Sequence, residues 1–321
     1  MNEREIFMTI FQHKQPPRLP KFGYCDLANS PGEHSMRYPE SGLDWFGVDW
    51  LVSPDGTQVV KPGTRRLEEL PQWKERNIVP KVDDVDWKAA AEKATAKWDR
   101  ENKVQIVAVQ SGHFERLYSL VGFEDALTAF YEYPDDVKEL FEEITKLKID
   151  IIHRVKEYYN PDIFSPHDDW GTNLNMFFSP EIWREFIKPH VKRLVDETHA
   201  CGMLYEQHTC GHVSQILGDL VELGVDIAEV QSCNDFVTFK KEYGNRMTLK
   251  GCYNSQVIGA PSTTPEEAAA SVRQTLLDCA VGGGFASNAY GIPGRDRPEI
   301  KQAVLDTIDW FDREYYGYTG E

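Results

Sequence analysis

Features that would place this chain at a membrane, on a nucleic acid or in a disulfide scaffold are absent or weak. No run of 18 or more apolar residues occurs, so no membrane-spanning helix is expected. The net charge of −17 argues against nucleic acids and anionic membranes as partners, because both bind basic surfaces. Only six cysteines are spread over 321 residues, and the first residues lack the pattern of a secretion signal. We therefore expect a cytoplasmic protein whose cysteines pack in the core or bind metal.

Two glycine-rich motifs that bind nucleotide phosphates are also missing. No G-x-G-x-x-G follows the first predicted strand, and no G-x-x-x-x-G-K occurs, which makes a nucleotide-binding fold less favoured. The apolar fraction of 41% is enough for a sizeable core. Single α/β barrels reach this length, so we expect one domain over residues 1–321.

Apolar strands and amphipathic helices alternate regularly from residue 104 onward. Such an alternation indicates parallel βαβ units. Two earlier strands, near 19–26 and 50–52, raise the count to about eight and predict a (β/α)8 barrel with N-terminal decorations. The other predicted strands are 104–109, 162–165, 203–208, 226–230, 247–250 and 284–287. Residues 59–62 and 65–67 are predicted to form a decorating hairpin, and residues 180–201 a single helix.

Polar and metal-binding side chains follow the predicted strands where each one ends. In a βα barrel these carboxyl ends share one face, which holds the active site. Cysteine is not a usual residue of solvated loops, so three cysteines at consecutive strand ends carry weight. The residues are Gln110, Ser111, His113, His167, Asp168, Asp169, His208, Cys210, His212, Gln231, Cys233, Cys252, Asn254, Asn288 and Tyr290.

The segment His208-x-Cys210-Gly211 is the one around which the predicted site is organised. Residues i and i+2 of an extended strand point the same way, so the imidazole and the thiol are expected side by side. This pair of ligands suits zinc. The alternative is a buried cysteine beside a solvated histidine. Similar alternatives apply elsewhere: Asp168 and Asp169 are acid–base groups or turn caps, and the aromatic residues that follow them are core or a pocket wall.

Several segments together resemble the uroporphyrinogen decarboxylase superfamily, a group of (β/α)8 barrels. The likeness rests on 120–134, 168–171, 179–181, Phe186-x-x-Pro189, His208-x-Cys210-Gly211, 220–226, 283–285 and 291–293. The resemblance covers mainly residues 104–300. The decarboxylase branch uses no metal and has an arginine-rich segment after its first strand, whereas residues 22–31 here contain no arginine. The corrinoid-dependent methyltransferase branch carries H-x-C-G and binds zinc there, which His208 and Cys210 match.

The resemblance implies a zinc site whose third ligand is open. Thiol-methylating members have a second cysteine near the end of the last strand, and none lies near Tyr290 in this chain. Cys252 is the expected third ligand, with Glu229, Cys233 and His212 as options. This altered set resembles members that take a methyl group from a substrate and give it to a corrinoid.

The expected function is therefore zinc-dependent methyl transfer between a small substrate and a corrinoid (cobalamin) carried by a partner protein. Aromatic residues near the acidic pair favour an aryl methyl ether as substrate. Asp168, Asp169 and Tyr290 are expected to supply or orient protons. Expected substrate contacts are His113, His167, Trp170, Phe177, Tyr205 and Asn288. The alternatives are a thiol methyltransferase, a barrel that binds a small molecule without turnover, and a decarboxylase, which needs mouth arginines such as Arg116, Arg295 or Arg297.

Overall fold

A curled sheet of seven parallel strands is the centre of the fold, as described by a computed structural model for residues 1–31, 41–53, 58–287 and 296–320. The seven strands lie in the order β1-β5-β6-β7-β8-β9-β10, and β2, β3 and β4 form a separate antiparallel sheet. The strands are β1 Cys25–Asn29, β2 Gly42–Leu43, β3 Asp49–Val52, β4 Gln58–Val60, β5 Val104–Val109, β6 Ile163–Pro166, β7 Leu204–Thr209, β8 Ile227–Val230, β9 Thr248–Gly251 and β10 Phe285–Ala286.

Helices connect strands of the large sheet and cover its outer face, except for α1, which precedes β1 and packs against the inner cluster. They are α1 Glu3–Phe11, α2 Gln72–Glu75, α3 Trp87–Thr95, α4 His113–Val121, α5 Phe123–Glu132, α6 Pro134–Arg154, α7 Pro180–Phe186, α8 Lys188–Ala200, α9 Leu217–Leu223, α10 Phe236–Tyr243, α11 Ser255–Ile258, α12 Pro265–Cys279 and α13 Pro298–Phe311. Among the described residues, no helix is long and apolar enough to cross a membrane.

The sheet curls until its two outer strands come close together. The hydroxyl of Tyr24, just before β1, donates to the carbonyl oxygen of Ser287, just after β10, over 3.0 Å. Side chains from α1 and the strands meet in one apolar cluster inside the curl: Phe7, Ile10, Tyr24, Val104, Ile106, Ile163, Ile227 and Ala286. This cluster fills the amino-terminal end of the interior, and the larger core lies outside, between sheet and helices.

The sequence places β5 correctly but misassigns other regions. Residues 50–52 are predicted to be a strand of the barrel, yet they lie in β3, which pairs with β2 and β4, and β1 pairs directly with β5. Residues 58–60 likewise pair with β3 rather than with 65–67. The predicted helix 180–201 is two helices that meet at Ile187. Pro189 explains the break, because proline has no N–H to donate and clashes with the preceding turn of a helix.

Candidate metal centre

Strand β7 brings His208 and Cys210 together, as the spacing predicts. The distance between His208 Nε2 and Cys210 Sγ is 3.6 Å, and both residues are half-buried. The chain then turns at Gly211, where φ is +94°. A Cβ atom at this position would lie 2.2 Å from backbone atoms of Gly171, so only glycine allows the two loops to pack. This close packing brings the loop after β6 against the His208–Cys210 pair.

Asp169, from the loop after β6, completes a group of three ligand atoms. Its Oδ1 accepts a hydrogen bond from the backbone N–H of Cys210 over 2.7 Å and lies 3.8 Å from His208 Nε2. The nitrogen, sulfur and oxygen atoms all lie within 4.8 Å of one another. Ligand atoms around a tetrahedral zinc ion are separated by about 3.4 to 3.6 Å, given the usual bond lengths. The three residues therefore fit a zinc ion with little movement.

Glu229, on the neighbouring strand β8, holds the other side of the His208 ring. Its Oε2 lies 3.1 Å from His208 Nδ1, and the two residues are paired in register. A carboxylate only accepts, so Nδ1 carries the hydrogen and Nε2 is left to bind metal. Burial opposes ionisation of Glu229, but the charge of Lys250 and the bond with His208 lower its pKa to about 2. Glu229 thus stays charged and fixes the tautomer of His208.

A buried ion network continues below Glu229 into the interior. Lys250 Nζ donates to both carboxylate oxygens of Glu206 over 2.8 Å and lies 3.7 Å from Glu229 Oε1. Ser165 donates to Glu206 as well, over 2.8 Å. The ring of His167 stacks on His208, with centroids 4.2 Å apart. His167 therefore lies at the mouth as predicted, against the candidate ligand.

Asp168 is not a free acid–base group in this structure. Its two oxygens accept hydrogen bonds from the backbone N–H groups of Phe114 and Glu115, at the start of α4, over 3.2 and 2.9 Å. Burial raises the pKa of Asp168 to about 6, although these bonds act in the opposite direction. Glu115 is buried beside it, and burial together with the Asp169 and Asp168 charges raises the pKa of Glu115 well above its ordinary value. Asp168 therefore caps α4.

Three residues that were expected to contact substrate lie elsewhere, which corrects those predictions. His113 is buried in the helix layer, where its Nε2 lies 2.9 Å from Thr145 Oγ1 and its ring stacks on His190. Trp170 is fully buried and packs edge-to-face on Trp183. Tyr205 is also fully buried, and its hydroxyl donates to Gln207 on the strand face opposite to His208.

Cys252 is also not in the group of candidate ligands. It is buried, adopts a φ of +60°, and its thiol donates to the carbonyl oxygen of Lys250 over 3.6 Å. Asp169, and not Cys252, lies in the group with His208 and Cys210. Phe177 packs on Phe123 in an aromatic cluster at the helices. Asn288 and Tyr290 lie outside the described residues.

Glu206, Lys250 and Glu115 are the charged groups that the sequence reasoning missed. A signal existed for the first two. Glu206 is two residues before His208 in a buried strand, and Lys250 lies in a strand whose four residues are all buried. A charged side chain on the inward face of a buried strand is expensive unless it is paired, so it marks a site. Glu115 gives no such signal, because a glutamate in the first turn of a helix is ordinary.

Comparisons with known proteins identify a similar fold and the family of this chain. The solved structure of a methyltransferase from Methanosarcina mazei is similar over 97% of this chain and 99% of that one, with a TM-score of 0.72 and 14% identity. An L-ribulose 3-epimerase (8% identity, 75% of this chain, 86% of that one) reaches a TM-score of only 0.40. No curated protein matches the sequence. The sequence profile of uroporphyrinogen decarboxylase (URO-D) matches residues 42–310. The chain therefore belongs to the uroporphyrinogen decarboxylase family.

Proposed function

We propose that this protein is a zinc-dependent methyltransferase that moves a methyl group between a small substrate and a corrinoid carried by a partner protein. The observation that carries the proposal is the group formed by Asp169, His208 and Cys210, with Glu229 behind the imidazole. The H-x-C-G segment resembles the methyltransferase branch of the family. The similar fold of a protein described as a methyltransferase supports the same choice.

The residues present fit a zinc ion in both composition and surroundings. Cys210 Sγ, His208 Nε2 and Asp169 Oδ1 would hold it, and these are ligand types that zinc accepts. A bound zinc ion would act as a Lewis acid that stabilises negative charge on the substrate atom losing or accepting the methyl group. A reduced corrinoid would supply the electron pair for the new bond to the methyl carbon, so that the pair of the broken bond would stay on the substrate atom.

The protein's own side chains set the geometry of this step. Glu229 accepts the hydrogen of His208 Nδ1, and the stacked ring of His167 limits rotation of that imidazole. The backbone N–H of Cys210 orients Asp169. Such partners of metal ligands commonly matter for metal affinity nearly as much as the ligands themselves. We assign Glu229 and His167 as positioning residues.

Of the three arginines expected in a decarboxylase, Arg116 and Arg297 are engaged elsewhere, and Arg295 lies outside the described residues. A substrate with several carboxylates needs arginines at the mouth. Arg116 is fully buried, paired with Asp44 and placed over the ring of Phe46 at 3.9 Å. Arg297 donates to the backbone carbonyls of Ala260 and Thr263. Neither guanidinium is available to a substrate, so the methyltransferase proposal is favoured.

An aryl methyl ether is the substrate that we propose to test first. Trp170 and Tyr205 do not line the mouth, so their rings give no support for an aromatic ligand. The choice rests on reactivity instead. An ether is inert because its oxygen is a poor leaving group, and a Lewis acid next to that oxygen addresses this difficulty. Methyl amines and methyl thioethers belong in the same assay as alternative donors.

Metal content of matched cysteine variants tests the site directly. We expect about one zinc ion per wild-type chain by elemental analysis, and loss of it in Cys210→Ser and in His208→Ala. Cys252→Ser is the control, because its thiol lies outside the ligand group, and it should retain zinc. Retention in Cys210→Ser with loss in Cys252→Ser would reverse the ligand assignment.

Methyl transfer to free reduced cobalamin tests the activity. Guaiacol is offered as donor, and the change from the spectrum of reduced cobalamin to that of methylcobalamin is followed. The wild-type protein should show transfer, and Asp169→Ala should lower the rate at least about 100-fold, since removal of a metal or its ligand eliminates a large part of the rate enhancement. Zinc-loaded protein that transfers no methyl group from any ether, amine or thioether would refute the proposed function.

A further inference from the structure

We infer that this site selects methyl donors or acceptors that are uncharged or cationic, and that it rejects anionic ones. The inference rests on the proposed function and narrows its substrate class. It is carried by two observations on the described residues. One is the charge around the candidate ligands, and the other is the lining of a cleft beside them.

The groups next to the three ligand atoms are carboxyl groups, and they are not needed to balance a divalent ion. The two charges of a zinc ion would be balanced by Asp169 and by the thiolate of Cys210. The carboxyl group of Glu229 lies 3.1 Å from His208 Nδ1, and the buried side chains of Asp168 and Glu115 lie on the other side, at the start of α4. A substrate carboxylate or sulfonate would therefore meet acceptor oxygens rather than a positive charge.

The cations near the carboxyl ends of the strands face carboxylates rather than the ligand group. Lys250 is bound by both oxygens of Glu206 and also faces Glu229, and all three side chains are nearly fully buried. Lys148 is fully buried on α6, and its charge acts on Asp168 from the helix side. Arg116 is paired with Asp44. Within the described part of the chain, then, these cations leave no anion receptor beside the ligand group.

A polar but uncharged cleft lies beside the ligand loop, at the ends of β8 and β9. Its volume is about 180 Å³. Amide and hydroxyl side chains dominate its lining: Asn173, Gln231, Ser232, Asn254, Ser255 and Gln256. Gln231 connects the cleft to the site, because its Oε1 accepts the backbone N–H of Gly211 over 2.9 Å. Amides bind hydroxyl, ether or ammonium groups but offer no charge to an anion.

A set of three small thiols of different charge tests this selection on cobalt-substituted protein. Cobalt(II) replaces zinc, and coordination of a thiolate is read from the sulfur-to-cobalt charge-transfer absorption. The thiols are 3-mercapto-1-propanol (uncharged), cysteamine (cationic) and 3-mercaptopropionate (anionic). We expect the anionic thiol to bind at least about 10-fold more weakly than the uncharged one, and the gap to shrink as salt screens the charges. Equal or tighter binding of 3-mercaptopropionate overturns the inference, while the metal site and the proposed function would still stand. If the protein binds no cobalt, the result contradicts the metal site and the proposed function as well as the inference.

A charge introduced into the cleft gives a second, opposite test. Gln256→Arg adds a guanidinium to the lining and should strengthen 3-mercaptopropionate binding about 5-fold or more, with little change for 3-mercapto-1-propanol. Gln302→Arg is the matched control, because Gln302 lies on α13 beside Asp306 and lines a different cavity. It should change neither affinity. Equal effects of the two substitutions would show that the cleft does not contact the substrate and would overturn the inference.

Discussion

The two ends of the interior of the curled sheet carry opposite kinds of side chain, although the same strands build both. On β6 the inward positions run from Ile163 through Ser165 to His167 beyond its end, and on β8 from Ile227 to Glu229. Residues i and i+2 share one face of a strand, so each strand changes from apolar to polar within two or four residues. The amino-terminal end is closed by Phe7 and its apolar neighbours. The carboxyl end holds a buried ion network.

This contrast separates side chains that stabilise the fold from side chains that serve the site. Burying apolar surface contributes about 25 cal/mol per Å², which explains the apolar end. Buried ion pairs add little to the free energy of unfolding, because the cost of desolvating the two charges offsets their attraction. Proteins in which apolar side chains replace such a pair are often as stable. Lys250 with Glu206 and Glu229 is therefore not explained by stability alone. We attribute the network to the orientation and charge of the groups around His208.

Removing the central cation of the network should have a large effect on folding. Lys250→Met leaves Glu206 and Glu229 without their buried cation and should lower the free energy of unfolding by about 3–5 kcal/mol. Phe7→Ala at the apolar end should cost a similar amount, about 3–5 kcal/mol. The two variants should differ in zinc content: Phe7→Ala should retain the zinc, and Lys250→Met should bind less of it.

Urea denaturation and elemental analysis check both variants. Lys146→Met is the control, because Lys146 pairs with Glu143 on the exposed face of α6 and should cost less than about 1 kcal/mol. Equal stability of Lys250→Met and Lys146→Met would contradict the proposed difference between the two ends.

A buried carboxyl near the apolar end predicts a pH dependence of stability. Burial raises the pKa of Asp312 to about 6 from an ordinary 3.8, and its Oδ1 accepts the backbone N–H of Leu19 over 2.8 Å. Between pH 4 and pH 6 the folded state holds more protons on this group than the unfolded state. The stability that this group provides is thus present below pH 4 and is lost as the pH rises through 6.

Asp312→Asn keeps the acceptor and removes the charge. The free energy of unfolding of the variant, compared with that of the wild type, should be higher at pH 7 than at pH 4. This gain should be at most about 3 kcal/mol, which is the free-energy equivalent of that pKa difference. Denaturation at the two pH values measures this change. Asp306→Asn, at an exposed position of α13, should show none. A stability difference that is the same at both pH values would contradict the assignment.

The smallest expected effect concerns the positioning of His208. Glu229→Gln keeps an acceptor for the Nδ1 hydrogen but removes the charge, and should weaken zinc binding about 10- to 100-fold. That change corresponds to about 1.4–2.7 kcal/mol. Competition with a chromogenic chelator gives the zinc Kd. Glu222→Gln on the exposed surface of α9 is the control and should leave the Kd unchanged. An unaltered Kd in Glu229→Gln would mean that the imidazole is oriented by packing alone.

Sequence patterns located β5 to β10 well, because their periodicity is local, but the strand predicted at 19–26 is β1 at Cys25–Asn29. The continuous apolar run 104–109 predicts β5 within its observed bounds, and the i, i+2 spacing of His208 and Cys210 predicts neighbouring side chains. The same reasoning fails for His113 and Tyr205. Both follow or occupy predicted strands, but the face that each presents depends on how helix and sheet are packed against one another.

What the sequence by itself determined is the alternation of strand and helix and the His208–Cys210 pair, since both arise within a few residues of chain. Only the tertiary structure decided the third candidate ligand. Asp169 lies 41 residues from Cys210 and Glu229 lies 21 residues from His208, and they meet because β6, β7 and β8 pair in one particular register. Register is a property of paired strands. A local pattern therefore cannot show that Asp169 is brought to His208 while Cys252 is turned away from it.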